Sequence, residues 1–193
     1  ERTRTAILEA AFKEMYEHGF QAASLERILS NTQVTKGALY HHFPNKLALG
    51  IAVVEEVISG YVLEKNVRPL EGTDDPIPVL IELFESRLET CGQAEMEYGC
   101  PMNNLIQEMS PLDENFRKGL QEIQFTWHRA IANALERGQA AGNVRMDVDA
   151  DEVAMFIIAA VEGSVGITKS LQSIETLRGC MNQLRHYLET LLP

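Results

Sequence analysis

A chain of 193 residues, 45% hydrophobic and 23% charged, has room for a sizeable core and no compositional sign of disorder. Its formal net charge of −11 excludes a uniformly basic surface that coats nucleic acid, and no run of about 18 uncharged apolar residues offers a membrane span. Three cysteines, an odd number beside ample core, fit a reducing cytoplasm better than a disulfide-stapled secreted fold.

In chain order the pattern is helical. Ile7, Leu8, Ala11, Phe12, Met15 and Tyr16 recur on one helix face, and Gly19 stops it. Ser24 is placed to cap a short helix through Leu25, Ile28 and Leu29. A turn at Thr32-Gln33 leads to a third helix opening at Thr35 and closed by Pro44, which pushes the residue before it out of helical geometry. Asn45 caps a fourth helix whose expected buried stripe is Leu47, Ile51, Val54, Ile58 and Tyr61. The polar stretch EKNVRPLEGTDDP, residues 64–76, reads as a linker.

Beyond it Ile77, Leu80, Phe84 and Leu88 predict another helix, and Gly99 and Pro101 predict a bend. Ser110-Pro111-Leu112-Asp113 has the form of a helix start, with Phe116, Leu120, Ile123, Trp127, Ile131 and Leu135 stepping by three or four until Gly138 and Gly142. Asp149 and Glu152 have capping-box spacing before VAMFIIAAVEGSVGI, which is apolar on nearly every side and must be covered on several faces. Leu177, Met181, Leu184, Leu188 and Leu191 form a last seam. With no strand pattern, the expected fold is all-α: an N-terminal three-helix domain over 1–50, continuing into a larger helical domain over 51–193.

The charge is unevenly spread. The first fifty residues hold six of the 17 Lys/Arg but five of the 28 Asp/Glu, and from Phe20 to Gly50 the only acid is Glu26. A locally basic tip on an acidic body can still meet phosphates, because screening confines repulsion to roughly 10 Å at about 0.1 M salt. No signal-peptide pattern opens the chain, and its start at Glu1 instead of methionine leaves an N-terminal arm open.

Two short helices joined by a tight turn, the second rich in small and donor-bearing residues, make a candidate helix-turn-helix. In VTKGALYHHFPNK, residues 34–46, Thr35 caps and donates, and Lys36 can reach guanine acceptors or a phosphate. Gly37 and Ala38 permit close approach to bases, and Tyr40, His41 and His42 carry donors on rigid rings. Leu39 and Phe43, four apart, face the core. Lys46 adds its charge to the N–H groups of the next helix. The adjacent histidines point about 100° apart, with no ligand at i+4, so a metal site is not expected. No nucleophile or acid partner stands at a catalytic spacing.

The string TKGALYHHFPNK, with SLERIL upstream, resembles the DNA-binding segment of TetR-family transcriptional regulators over about residues 4–50. Tyr40, Phe43, Asn45 and Lys46 match that family's recurring tyrosine, aromatic, asparagine and lysine, while Thr32-Gln33 departs from a common Ala-Gly. The resemblance implies a homodimer on a near-palindromic operator of double-stranded DNA, usually a repressor released by a small ligand. It implies a DNA surface of Thr35, Lys36, Gly37, Ala38, Tyr40, His41, His42 and Lys46, and no cofactor or catalysis. It also implies dimerisation through helices near 150–169 and 174–191.

Phe84, Met102, Asn103, Ile106, Trp127 and Phe156 are candidates for lining a mostly apolar effector cavity with a polar anchor, or are ordinary core. Glu162, an acid inside an apolar helix, must meet a partner, a polar pocket or water. Three alternatives stay open: a redox-sensing regulator using Cys100, set between Gly99 and Pro101, a small helical enzyme, and a helical adaptor that kept the fold without binding DNA.

Overall fold

A computed structural model describes residues 1–193, and every regular element in it is helical. The chain forms two compact units. The first comprises Glu1–Tyr61 and Pro101–Ile123, and the second Val62–Cys100 and Gln124–Pro193.

In the first unit, α1 (Arg2–His18) ends at Gly19, whose φ of 78° suits glycine. Helix α2 (Leu25–Ser30) starts where the Ser24 hydroxyl accepts from the Glu26 and Arg27 amides, and α3 (Lys36–His42) where Thr35 accepts from the Ala38 amide at 3.2 Å. Helix α4 (Lys46–Ala52) is capped by Asn45, which accepts from the Ala48 amide at 2.8 Å. Each of these caps stands at the residue the sequence nominates. The core gathers Ile7, Leu8, Ala11, Ile28, Leu39, Phe43 and Leu49.

Helix continues past α4 as a π-helical turn (Val53–Ile58), α5 (Ser59–Val62), a second π-helical stretch (Leu63–Val67) and a 3₁₀ turn (Arg68–Leu70). The expected stripe is therefore wrong in detail. Val54 and Ile58 are buried as expected, but Tyr61 is exposed and Leu47 and Ile51 are only half-buried; the buried face runs through Leu49, Val53, Ile58, Val62 and Val67. Those five step by four and five residues, because a π turn takes more residues than an α turn. The expected linker is corrected as well. Its first half is helical through Leu70, which is buried, and Pro76 already opens the next helix.

Helix α8 (Pro101–Met109) and the start of α9 (Glu114–Ala141) complete the first unit. The cap of α9 is Asp113, which accepts from the Asn115 and Phe116 amides at 2.9 and 3.0 Å. Ser110 is not a cap; its amide bonds Ile106 and ends α8. Phe116 packs on Phe20 with ring centroids 4.6 Å apart, and a Cβ on Gly50 would stand 2.4 Å from the Phe20 ring and 2.8 Å from Phe116. Close packing leaves no other residue there.

The second unit packs α6 (Pro76–Thr90), the rest of α9, α10 (Ala150–Leu171) and α11 (Ile174–Glu189), with short α7 (Gln93–Tyr98) leading to the bend at Gly99. Ile77, Leu80, Phe84, Trp127, Ile131, Leu135, Ile157, Val161, Met181 and Leu188 form its core. Arg137 donates to the Leu70 and Thr73 carbonyls at 2.7 and 2.8 Å, tying the 3₁₀ turn to α9. Gly138 does not end α9, which runs to Ala141; its missing side chain leaves room for Pro76 and Val144.

Candidate nucleic-acid interface

Helix α3 is held by one face only. Leu39 and Phe43 are buried, which supplies on the order of 1.5–3 kcal/mol each. Thr35, Lys36, Gly37, Tyr40 and His41 are exposed, and Ala38 and His42 half-buried. Lys36 forms no ion pair or hydrogen bond within the chain, so its charge is available to a partner. A side chain on Gly37 would meet nothing within 4 Å, so this fold does not itself require a glycine there. The rings of His41 and His42 meet edge-on with centroids 5.3 Å apart, and His42 lies beside Phe43. One turn of helix thus offers a cation, a phenol, an imidazole and bare backbone, the chemistry of base-edge and phosphate contact.

Lys46 stands apart from that set. It is half-buried, its ammonium donates to the Gln21 carbonyl at 2.9 Å and lies 4.9 Å from the Phe20 ring centroid. Sequence spacing could not show this bond, which joins residues 25 apart.

Two ion pairs brace α1, one against α2 and one against the turn after α4, and neither was singled out from the sequence. Glu14, 3% exposed, accepts from the Ser24 amide at 2.9 Å and from Arg27 Nε at 2.7 Å, binding α2 to α1. Burial alone would raise its carboxyl pKa; Arg27, the Ser24 amide and His18 more than offset that and hold it below the ordinary range. Arg4 pairs through both nitrogens with Glu56 and lies over the Phe43 ring, 5.1 Å from its centroid. The only sequence signal for either pair was a charge pointing toward a helix's apolar side, as Glu14 does beside Met15.

In the second unit α10 and α11 bury one face and expose the other. Phe156 is 50% exposed, Ile167 50% and Leu171 62%. Between the two helices runs an open groove of ≈ 510 Å³, lined by Phe156, Ala160, Gly163, Ile167, Cys180 and Tyr187 among others. Phe156 stands edge-on to Tyr187 at 4.7 Å, and the Tyr187 hydroxyl pKa is raised by burial. A contiguous apolar surface of this kind marks an interaction site more often than a bare exterior.

The other candidates for an effector cavity are dispersed. Met102, buried, and Asn103 and Ile106, half-buried, lie on α8 in the first unit. Phe84 on α6 and Trp127 on α9 are buried in the second unit, where Phe156 faces outward. Glu162 on α10 has one carboxylate oxygen buried with no partner. Burial raises its pKa, against the opposing charge of Arg87 and a hydrogen bond with Cys100. Cys91 is less acidic than an ordinary thiol, through burial and the nearby Glu95.

Residues 7–53 match the family profile described as bacterial regulatory proteins, tetR family, and residues 76–184 match the tetracyclin repressor-like C-terminal domain. Among curated relatives, the transcriptional regulator AcuR of Cereibacter sphaeroides is 30% identical over 83% of this chain and 73% of its own. The HTH-type transcriptional repressor DhaR of a Mycobacterium species is 29% identical over 98% of this chain and 92% of its own. Among solved structures, a TetR transcriptional regulator from Chloroflexus aurantiacus superposes with a TM-score of 0.86 at 25% identity, covering 99% of this chain and 96% of that one. The regulatory protein TetR from Rhodobacter sphaeroides does so at 0.83 and 26%, covering 94% and 96%. No helix is long and apolar enough to cross a membrane. The capped, outward-facing α3 therefore sits in a known architecture: the chain belongs to the TetR family of DNA-binding transcriptional regulators.

Proposed function

We propose that the chain works in the cytoplasm as a homodimeric repressor, released from a palindromic operator by a small, largely apolar effector. The carrying observation is α3: an exposed, unpaired Lys36 and exposed Tyr40 and His41 on a helix anchored only by Leu39 and Phe43. Thr35, Ala38 and His42 complete that surface, with Gly37 leaving room for the bases. Lys46 already spends one of its three N–H donors on Gln21 and is half-buried, so its part at a phosphate is the smaller one. In this division residues 1–50 read DNA, and residues 51–193 dimerise and sense.

The apolar groove of α10 and α11 favours a second copy of the chain as its cover, which makes Phe156 a dimer residue in the first place. Two copies then present two α3 helices to half-sites about 34–36 Å apart or a multiple of it. Repression is favoured by the relative described as a repressor, DhaR. For release, Phe84 and Trp127 supply apolar lining within the second unit, and Glu162 a polar anchor. An effector that moves the protein from 1:99 to 99:1 must bind the released state about 10⁴-fold more tightly.

Selection of duplexes from random DNA tests this directly. Replacing Lys36 and Tyr40 together by alanine is expected to lower affinity for the selected duplex about a hundredfold or more and to make binding less salt-sensitive. Dimer mass by sedimentation should not change. Equal binding by the double variant would remove α3 from the interface.

A further inference from the structure

We propose that Glu108 is a positioning residue for DNA reading: its carboxylate, with Lys46, clamps the turn between α1 and α2 and so fixes how the helix-turn-helix is presented. Within the first unit, Glu108 Oε2 accepts from the Phe20 amide at 2.9 Å and Oε1 from the Gln21 amide at 2.8 Å. The Gln21 backbone is held on its other side by Lys46, whose Nζ donates to the Gln21 carbonyl at 2.9 Å. One residue is thus gripped by a carboxylate at its N–H and an ammonium at its C=O, through two successive peptide groups and two charge-assisted bonds.

The surroundings tighten the grip. Gly19, with φ of 78°, suits glycine for its conformation, and a Cβ there would stand 2.9 Å from Glu108 Oε2 and push the carboxylate from its place. Phe20 is wedged on Phe116 and against Gly50. Residues separated by 88 positions in sequence meet here.

Glu108 is no DNA contact. It lies on α8, whose chain comes from Cys100 and departs past Ile123, at both ends into the second unit. Residues 101–123 thus belong to the same unit as the three N-terminal helices, and Glu108 is the side chain by which α8 grips the backbone of the turn. Because the Gln21 bond is exposed, water competes for it and its contribution to stability is modest. Its direction is not: two successive amides on one carboxylate define both the tilt and the height of the turn.

The proposal rests on the reading of the chain as a dimeric DNA binder, and the test keeps the two apart. Wild type, Glu108→Ala and Glu108→Gln would be titrated by fluorescence anisotropy against the duplex selected by wild type, and against versions with half-site spacing changed by one base pair. Loss of the clamp is expected to lower affinity for the selected spacing on the order of tenfold. Affinity for the altered spacings should fall much less, which flattens the spacing preference. Glu108→Gln, which keeps one acceptor oxygen, should fall between, and the salt dependence should match wild type. Equal loss at every spacing, or a loss that follows the fall in thermal midpoint, would show a merely structural residue and overturn the proposal. Should Glu108→Ala not fold, Glu108→Gln decides by the same criterion. A wild-type chain that binds no DNA would instead remove the reading on which the proposal rests.

Discussion

The two units treat their inward-facing carboxylates in opposite ways. In the first, Glu14 and Glu108 have each drawn in donors, and the Glu14 pKa is lowered despite burial. In the second, Glu162 keeps a buried oxygen without a partner, and its pKa is raised. A carboxylate saturated with donors specifies one geometry. One left short by a donor sits in a site with an unused valence. The contrast matches the proposed division between a head that presents α3 at a fixed angle and a body that responds to an effector.

The contrast can be broken first at Glu14. Glu14→Ala strands Arg27 and the Ser24 amide, and is expected to cost about 3 kcal/mol in denaturant unfolding. Since the Glu14 pKa lies below the ordinary 4.5 in the fold, its stabilisation is present above that value and lost as pH falls through the lower one. The gap between wild type and variant should therefore close in acid; a gap constant with pH would mean that packing alone was removed.

A smaller effect of the opposite sign is expected at Glu162. Its raised pKa favours the neutral acid in the fold, so its contribution is present below 4.5 and lost as pH rises through the folded value. Glu162→Gln should thus match wild type in acid and exceed it at pH 7, by roughly 1 kcal/mol or less. A thermal-melt series over pH reads this, and a variant less stable than wild type at neutral pH would show that the ionised form is already well paired. The smallest effect is expected at an exposed pair. Arg117 holds the Glu114 carboxyl down to about 2, yet both lie in water, so Arg117→Ala should leave the melting midpoint within error. A clear fall would mean that saturation matters on the surface too.

The caps were legible because each is a local bargain between one side chain and an amide two or three residues on: Ser24, Thr35, Asn45 and Asp149 all stand where the sequence puts them. The outward set on α3 was legible for the same reason, since a seven-residue helix with Leu39 inside it and Phe43 just past its end has only one way to bury both. Asp113 caps in place of Ser110 because residues 110–113 still turn back on α8, with the Ser110 amide on Ile106 and the Leu112 and Asp113 amides on Met109, a tertiary detail that a motif cannot foresee. Glu108 on Phe20 and Lys46 on Gln21 were out of reach altogether, for they join residues 88 and 25 apart. Phe156 was placed by its apolar character alone, and character does not tell a core face from a face kept for a second molecule.

The wide turns in the helix after Ala52 also bear on how such a chain can change length. Removing one residue from Val53–Ile58 would let that turn relax to the ordinary α pitch, and because the wide turn already holds one residue more than an α turn, the positions after it would keep their phase. The same deletion within the α-helical run Lys46–Ala52 would instead turn every later side chain by about 100°. The wide turn is thus the place where this helix can lose a residue and keep its buried face.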